Sequence, residues 1–223
     1  MAVATYIEQS LAKLEQFEGS IPWMYRDTVG KVTVAVGMML PGALAACELP
    51  FLIGGRPASA AEIAAEFARV EALPMGRPAL FYRGPNGAHS NPELAQSEID
   101  ALLRKILTDF EAELCAYLPS YDSFPENVKL ALLDMAYNLG PAGLMHGYPQ
   151  LLKAVRSANW AQAAAACYRR GPGAARNEWT RQMFLSSVIA DVKAAADGLL
   201  ARLGYGLVGA GAHLVELVKR RVR

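Results

Sequence analysis

Residues 17–37 read FEGSIPWMYRDTVGKVTVAVG, and the fold turns on this stretch. Phe17-Glu18-Gly19 closes a segment, Thr5–Phe17, in which Ile7, Leu11, Leu14 and Phe17 recur at helical spacing. Thr5 with Glu8 supplies the pattern of a capping box at its start. Pro22 then breaks the helical period. From Trp23 the period becomes two: Tyr25, Asp27, Lys31, Thr33 and Ala35 alternate with Val32, Val34 and Val36. Thr28-Val29-Gly30 provides a turn whose glycine can take a positive φ. The spacing predicts a β-hairpin over about 23–37.

The chemistry of this stretch lies in its carboxyls. Glu18 is expected among Phe17, Ile21 and Trp23, where burial would keep it protonated as a proton donor. Asp27, beside a turn, is expected to stay ionised. With a three-residue turn Asp27 opposes Lys31 and Tyr25 opposes Thr33, so the four side chains share one face. A helix-end Glu facing an Asp and a Thr can bracket a glycosidic bond. One carboxyl protonates the leaving oxygen, and the other, with the hydroxyl, holds a water on the opposite face. An acidic helix end and a solvated hairpin charge explain the same two carboxyls.

Outward from the hairpin, residues 38–92 are rich in Pro and Gly and carry one alanine-rich helix, about Ser59–Leu73, capped by Ser59 with Glu62. Pro74–Pro92 reads as a long ordered loop. From Gln96 the chain turns helical: Ile99, Leu102, Leu103, Ile106, Leu107, Phe110 and Leu114 form one stripe, ended by Pro119. Pro125 opens a helix with Val128, Leu132, Met135 and Leu139 on one face, stopped by Gly140-Pro141. Short helices at about 149–157 and 159–169, a break at 171–173 and a helix from about Arg176 to Asp197 complete the pattern.

The 223 residues are 53% hydrophobic and 19% charged, enough apolar surface to exclude a disordered or collagen-like chain. No uncharged stretch is long enough for an ordinary transmembrane helix. The net charge of +1 conceals an asymmetry. Residues 1–149 hold 10 Lys+Arg against 17 Asp+Glu, whereas residues 150–223 hold 12 against 4. That split is not the footprint of a nucleic-acid binder. Cys47, Cys115 and Cys167 are odd in number and form no CxxC, which argues against a disulfide framework and a structural zinc site. His213 and Glu216 stand at helical spacing but read as a surface pair rather than metal ligands.

The string E-G-x5-Y-x-D-x2-G-x2-T-x3-G, from Glu18 to Gly37, resembles the phage-type lysozymes, glycoside hydrolase family 24. Glu18, Asp27 and Thr33 match that family's Glu, eight residues, Asp, five residues, Thr in identity and spacing. Tyr121-Asp-Ser-Phe followed by residues 131–140, ALLDMAYNLG, looks like its long central helix. Arg176-x-Glu178-x-x-Arg181-x-x-Phe184 looks like its arginine-rich helix near the C-terminus. Two departures stand out: Ala35 replaces a glycine and Met38 a histidine of the pattern Thr-x-Gly-x-Gly-His.

The resemblance implies an α+β, predominantly helical, lysozyme-like fold over residues 1–198, with a hairpin-bearing small lobe, a larger helical lobe and a cleft between them. The stretch at about 40–95 would be an insertion, and 199–223 an apolar, basic-ended extension expected to pack on the catalytic domain rather than lie on a membrane. The implied activity is inverting hydrolysis of the β-1,4 bond between N-acetylmuramic acid and N-acetylglucosamine, without a cofactor. Glu18 would be the general acid, Asp27 would orient or activate the water, and Thr33 would hold it. Asn138, Tyr137 and Arg176 would contact substrate, although helix capping, core packing and an ion pair with Glu178 or another acid account for them as well.

A wall-binding protein without catalysis and a lytic transglycosylase are the competing readings, and the complete Glu–Asp–Thr set argues against both. The implied partners are the glycan strand and an immunity or inhibitor protein, with no nucleic acid. The N-terminus lacks the pattern of a signal peptide, so synthesis in the cytoplasm and export through a holin or a secretion system are expected, as for an endolysin or an antibacterial effector.

Overall fold

The computed structural model describes residues 5–84 and 90–202. At 64% helix and 9% strand the fold is α+β and predominantly helical. The chain divides into two compact units, one of residues 11–106 and one of residues 1–10 with 107 onward. Helix α1 (Tyr6–Glu18) contributes to both.

The first unit is built on a three-stranded antiparallel sheet in the order β1 (Ile21–Arg26), β2 (Val32–Ala35), β3 (Met38–Met39). Tyr25 pairs with Thr33 and Arg26 with Val32, the expected register. A two-residue turn, Val36-Gly37, leads into β3, a third strand just past the predicted hairpin. Every β2 residue is buried, so this central strand is covered on both faces.

Helix α2 (Ala43–Cys47) and the two-residue strands β4 (Leu52–Ile53) and β5 (Arg56–Pro57) follow. Elements this short carry no measurable period, and the sequence did not reveal them. Helix α3 (Ala60–Ala72) has the predicted capping box: Ser59 Oγ accepts from the Glu62 N–H, and the Glu62 carboxylate accepts from the Ser59 N–H. It buries Ile63, Phe67 and Val70.

The expected loop after α3 contains a short helix, α4 (Ala79–Tyr82). It is held by specific bonds: Tyr82 is fully buried and donates its hydroxyl to the Pro74 carbonyl at 2.9 Å. Glu66, itself buried, takes a bidentate bond from Arg69 at 2.7 Å and a further one from Asn91 at 2.9 Å. Helix α5 (Gln96–Tyr117) begins in this unit and ends in the other. Ile99, Leu103, Leu107 and Leu114 of its predicted stripe are buried.

Among the described residues the second unit is helical, with α6 (Glu126–Leu139), α7 (Pro141–Gly147), α8 (Pro149–Arg156), α9 (Trp160–Ala166) and α10 (Gly173–Arg202) following the end of α5. Helix α6 begins after Pro125 and ends at Gly140, as expected, but it buries more than one face. Leu130, Ala131, Leu133, Asp134 and Ala136 are buried along with the predicted Val128, Leu132 and Met135. It packs against α7 and α10, so its amphipathic signal is weak. Pro141, read as a stop, opens α7: Gly140 at φ 71° redirects the chain, and proline is well suited to a first helical turn. Helix α10 starts three residues before its expected beginning, directly at the Gly171–Gly173 break.

Among the described residues no helix is long and apolar enough to cross a membrane. The expectations for the apolar tail beyond residue 202 and for the His213–Glu216 pair lie outside the described residues.

Candidate active site

Three of the predicted site residues lie in or beside the hairpin unit. Glu18 is the last residue of α1, where Gly19 takes φ 75° and donates its N–H to the Glu15 carbonyl at 2.9 Å. The apolar surround expected for Glu18 is not there, because its side chain is exposed. The buried stripe of α1 runs through Leu11 and Leu14, and Glu18 falls a full turn past Leu14 where that stripe ends. Phe17 is only half-buried and carries the Lys13 ammonium 4.6 Å above its ring. Trp23 is turned the other way, donating Nε1 to the Ala79 carbonyl at 2.9 Å.

Asp27 stands one residue beyond β1, as the first residue of the turn rather than within the strand. Its Oδ1 accepts from the Val29 N–H at 3.0 Å and the Lys31 N–H at 2.8 Å. Its own N–H donates to the Lys31 carbonyl at 2.9 Å, so Asp27 opposes Lys31 across a three-residue turn, as predicted. Gly30 closes the turn at φ 82°, a conformation a side chain would strain. The carboxylate is thus fixed by backbone donors through one oxygen.

Thr33 is 2% exposed and donates its hydroxyl to the Lys31 carbonyl at 3.1 Å. Two residues on, Ala35 holds φ 59°. The left-handed conformation a glycine would favour is therefore kept here by an alanine, at a cost of about 1–2 kcal/mol.

Tyr25 links the two carboxyls. Its hydroxyl is pushed above the usual phenol range, first by burial and then by the negative charges of Asp27 and Glu18. Tyr25 is paired with Thr33 on the neighbouring strand.

A second acidic group stands one helical turn before Glu18. Gln96 Nε2 donates to Glu15 Oε1 at 3.0 Å and to Asp100 Oδ1 at 2.7 Å, and Ser20 Oγ donates to Gln96 Oε1 at 3.3 Å. Burial, with the hydrogen bond and charge of Asp100, raises the Glu15 carboxyl above its usual range.

No family model and no curated protein matches this sequence. The candidate site accordingly stands on its own geometry.

The other three predicted residues belong to the helical unit. Asn138 is exposed at the end of α6. Tyr137 is half-buried and meets the Phe110 ring edge-on at 6.4 Å, a packing contact. Arg176 is 5% exposed and donates Nε to Asp134 Oδ1 at 2.7 Å. Its acid is Asp134; Glu178 instead accepts from Arg181 and Gln182.

Asp134 is the centre of a buried network that sequence reasoning missed. Its Oδ2 accepts from Arg169 Nη2 at 2.6 Å and from Thr180 Oγ1 at 2.7 Å, while Arg169 Nη1 donates to the Asp134 carbonyl. Asn177 exchanges two bonds with the Arg169 backbone. The available signal was an aspartate inside the apolar run LALLDMA, residues 130–136. Among the described residues no group of three or more His, Cys, Asp or Glu could hold a metal ion.

Proposed function

We propose that the chain is a lysozyme-like peptidoglycan hydrolase, cleaving the β-1,4 bond between N-acetylmuramic acid and N-acetylglucosamine with inversion. The observation that carries this reading is the hairpin register, where Tyr25 opposite Thr33, and Asp27 opposite Lys31, put a carboxylate fixed by its turn on the same strand pair as Thr33. In this mechanism Glu18, exposed at a helix end, gives its proton to the glycosidic oxygen. Asp27 uses Oδ1 to hold its turn and presents Oδ2 to the attacking water. Thr33 contributes its hydroxyl lone pairs to that water. Arg176 supports the helical unit through Asp134 rather than meeting substrate.

Removing the proton donor tests the reading. Glu18→Gln keeps the side chain's shape and is expected to abolish lysis of purified peptidoglycan with little change in thermal stability, since general acid catalysis alone contributes about 10²–10⁴ in rate. Lysis by Glu18→Gln at the wild-type rate would overturn the mechanism.

A second reading is a catalytically weak or inactive peptidoglycan-binding protein. It is favoured by the burial of Thr33 with its hydroxyl given to Lys31, and by the strained Ala35 two residues on. It predicts sedimentation with insoluble cell wall and no release of soluble muropeptides by the wild-type chain.

A further inference from the structure

The stretch from α3 to α4 is bound to the hairpin by two side chains of β1. Trp23 Nε1 reaches the Ala79 carbonyl, and Arg26 Nη1 reaches the Leu73 carbonyl at 2.6 Å. Arg26 also donates Nε to the Gly30 carbonyl at 3.0 Å, inside the turn that begins at Asp27. One guanidinium therefore spans from the end of α3 to the turn. The contact is close: a Cβ built on Gly30 would stand 3.0 Å from Arg26 Nη2 and 3.4 Å from Met75 Sδ.

The anchor itself is rigid. Helix α3 is capped at its start by Ser59 and Glu62, and Arg69 near its end is held by the buried Glu66 and by the Tyr82 carbonyl. At the other end, Gly30 donates its N–H to the Asp27 carbonyl at 3.1 Å, and Asp27 Oδ1 takes the N–H groups of Val29 and Lys31. Gly30, whose carbonyl Arg26 holds, is thus the same residue whose N–H closes the turn onto the Asp27 backbone. A fork with donors in fixed relative directions suits this double duty, which a single ammonium cannot reproduce.

We infer that Arg26 is a positioning residue for Asp27, and that the segment from α3 to α4 serves as the fixed wall against which Arg26 braces the Asp27 turn. The inference rests on the reading of Asp27 as the carboxylate that holds the attacking water. It gives a task to a stretch that the lysozyme-like pattern alone leaves idle.

The test uses the full chain with Arg26→Ala and Arg26→Lys, and two independent readouts. The first is steady-state hydrolysis of soluble peptidoglycan fragments. Since a misplacement of about 1 Å can cost about 10²-fold in rate, Arg26→Ala should lower kcat at least about tenfold while KM stays within about twofold. Arg26→Lys, which keeps the positive charge but not the planar fork, should fall between the two.

The second readout is the amide proton resonances of Val29 and Lys31, which report their bonds to Asp27 Oδ1 without any substrate. They should move in Arg26→Ala and return part-way in Arg26→Lys. Unchanged kcat, unchanged amide resonances, or a parallel loss of kcat and thermal stability in Arg26→Lys would overturn the inference. A wild-type chain that fails to hydrolyse peptidoglycan overturns the functional reading instead, and the amide resonances then decide the bracing contact alone.

Discussion

Asp134→Ala is the severest single test of the helical unit. The wild-type carboxylate accepts three bonds of 2.6–2.7 Å, from Arg169, Arg176 and Thr180. Arg169 is 0% and Arg176 5% exposed, so removing the anion strips two buried cations of their shared counter-charge. Breaking one buried ion pair by deleting a partner costs about 3–5 kcal/mol, and two cations on one anion place this case in the upper half of that range. For a chain of this size, about 4–5 kcal/mol lowers the thermal midpoint by about 8–20 °C. The assay is thermal unfolding followed by far-ultraviolet circular dichroism, which reads the helices directly. A triple replacement, Asp134→Leu with Arg169→Met and Arg176→Met, removes all three charges together and should recover most of the loss, because apolar replacements of buried ion triads are often neutral or better. A fall of less than about 4 °C in Asp134→Ala, only about 1–2 kcal/mol for a chain of this size, would refute the reasoning. So would a triple variant no more stable than the single one.

Two further predictions address the hairpin unit. The Tyr25 phenol should titrate above the usual value of about 10, and both Glu18→Gln and Asp27→Asn should lower its midpoint, read by ultraviolet difference absorbance. A midpoint indifferent to either substitution would separate that carboxyl from the site. Glu62 is held down to about 2 by Arg56 first and then by the backbone and side chain of Ser59. A depressed carboxylate stabilises the fold above its unfolded value of 4.5 and loses that contribution as pH falls toward 2, so Glu62→Gln should flatten the fall in thermal midpoint across this window.

The parts of the fold legible in the sequence are those fixed by near neighbours. The Tyr25–Thr33 register follows from strand alternation and a three-residue turn. The Ser59–Glu62 cap and the limits of α6 at Pro125 and Gly140 are local chemistry of the same kind. What stayed hidden depends on partners distant in sequence. Asp134 finds Arg169, Arg176 and Thr180 at separations of 35, 42 and 46 residues, and no spacing rule joins them. Helix α6 lost its period because it is covered on several faces. Glu18 illustrates the reverse error: apolar neighbours in sequence implied burial, but Phe17 and Trp23 turn to other partners. Arg26 falls at an unspecified position of the motif, and its reach to Leu73 appears once α3 lies against β1.

The most direct test of the account is the anomeric form of the products released from purified peptidoglycan. If Asp27 and Thr33 hold an attacking water on the face opposite Glu18, nuclear magnetic resonance of the first products should show reducing-end muramic acid of inverted, α configuration, and mass spectrometry should show the mass of hydrolysed muropeptides. Products that are chiefly 1,6-anhydro muropeptides, or reducing ends first released in the β configuration, would contradict it.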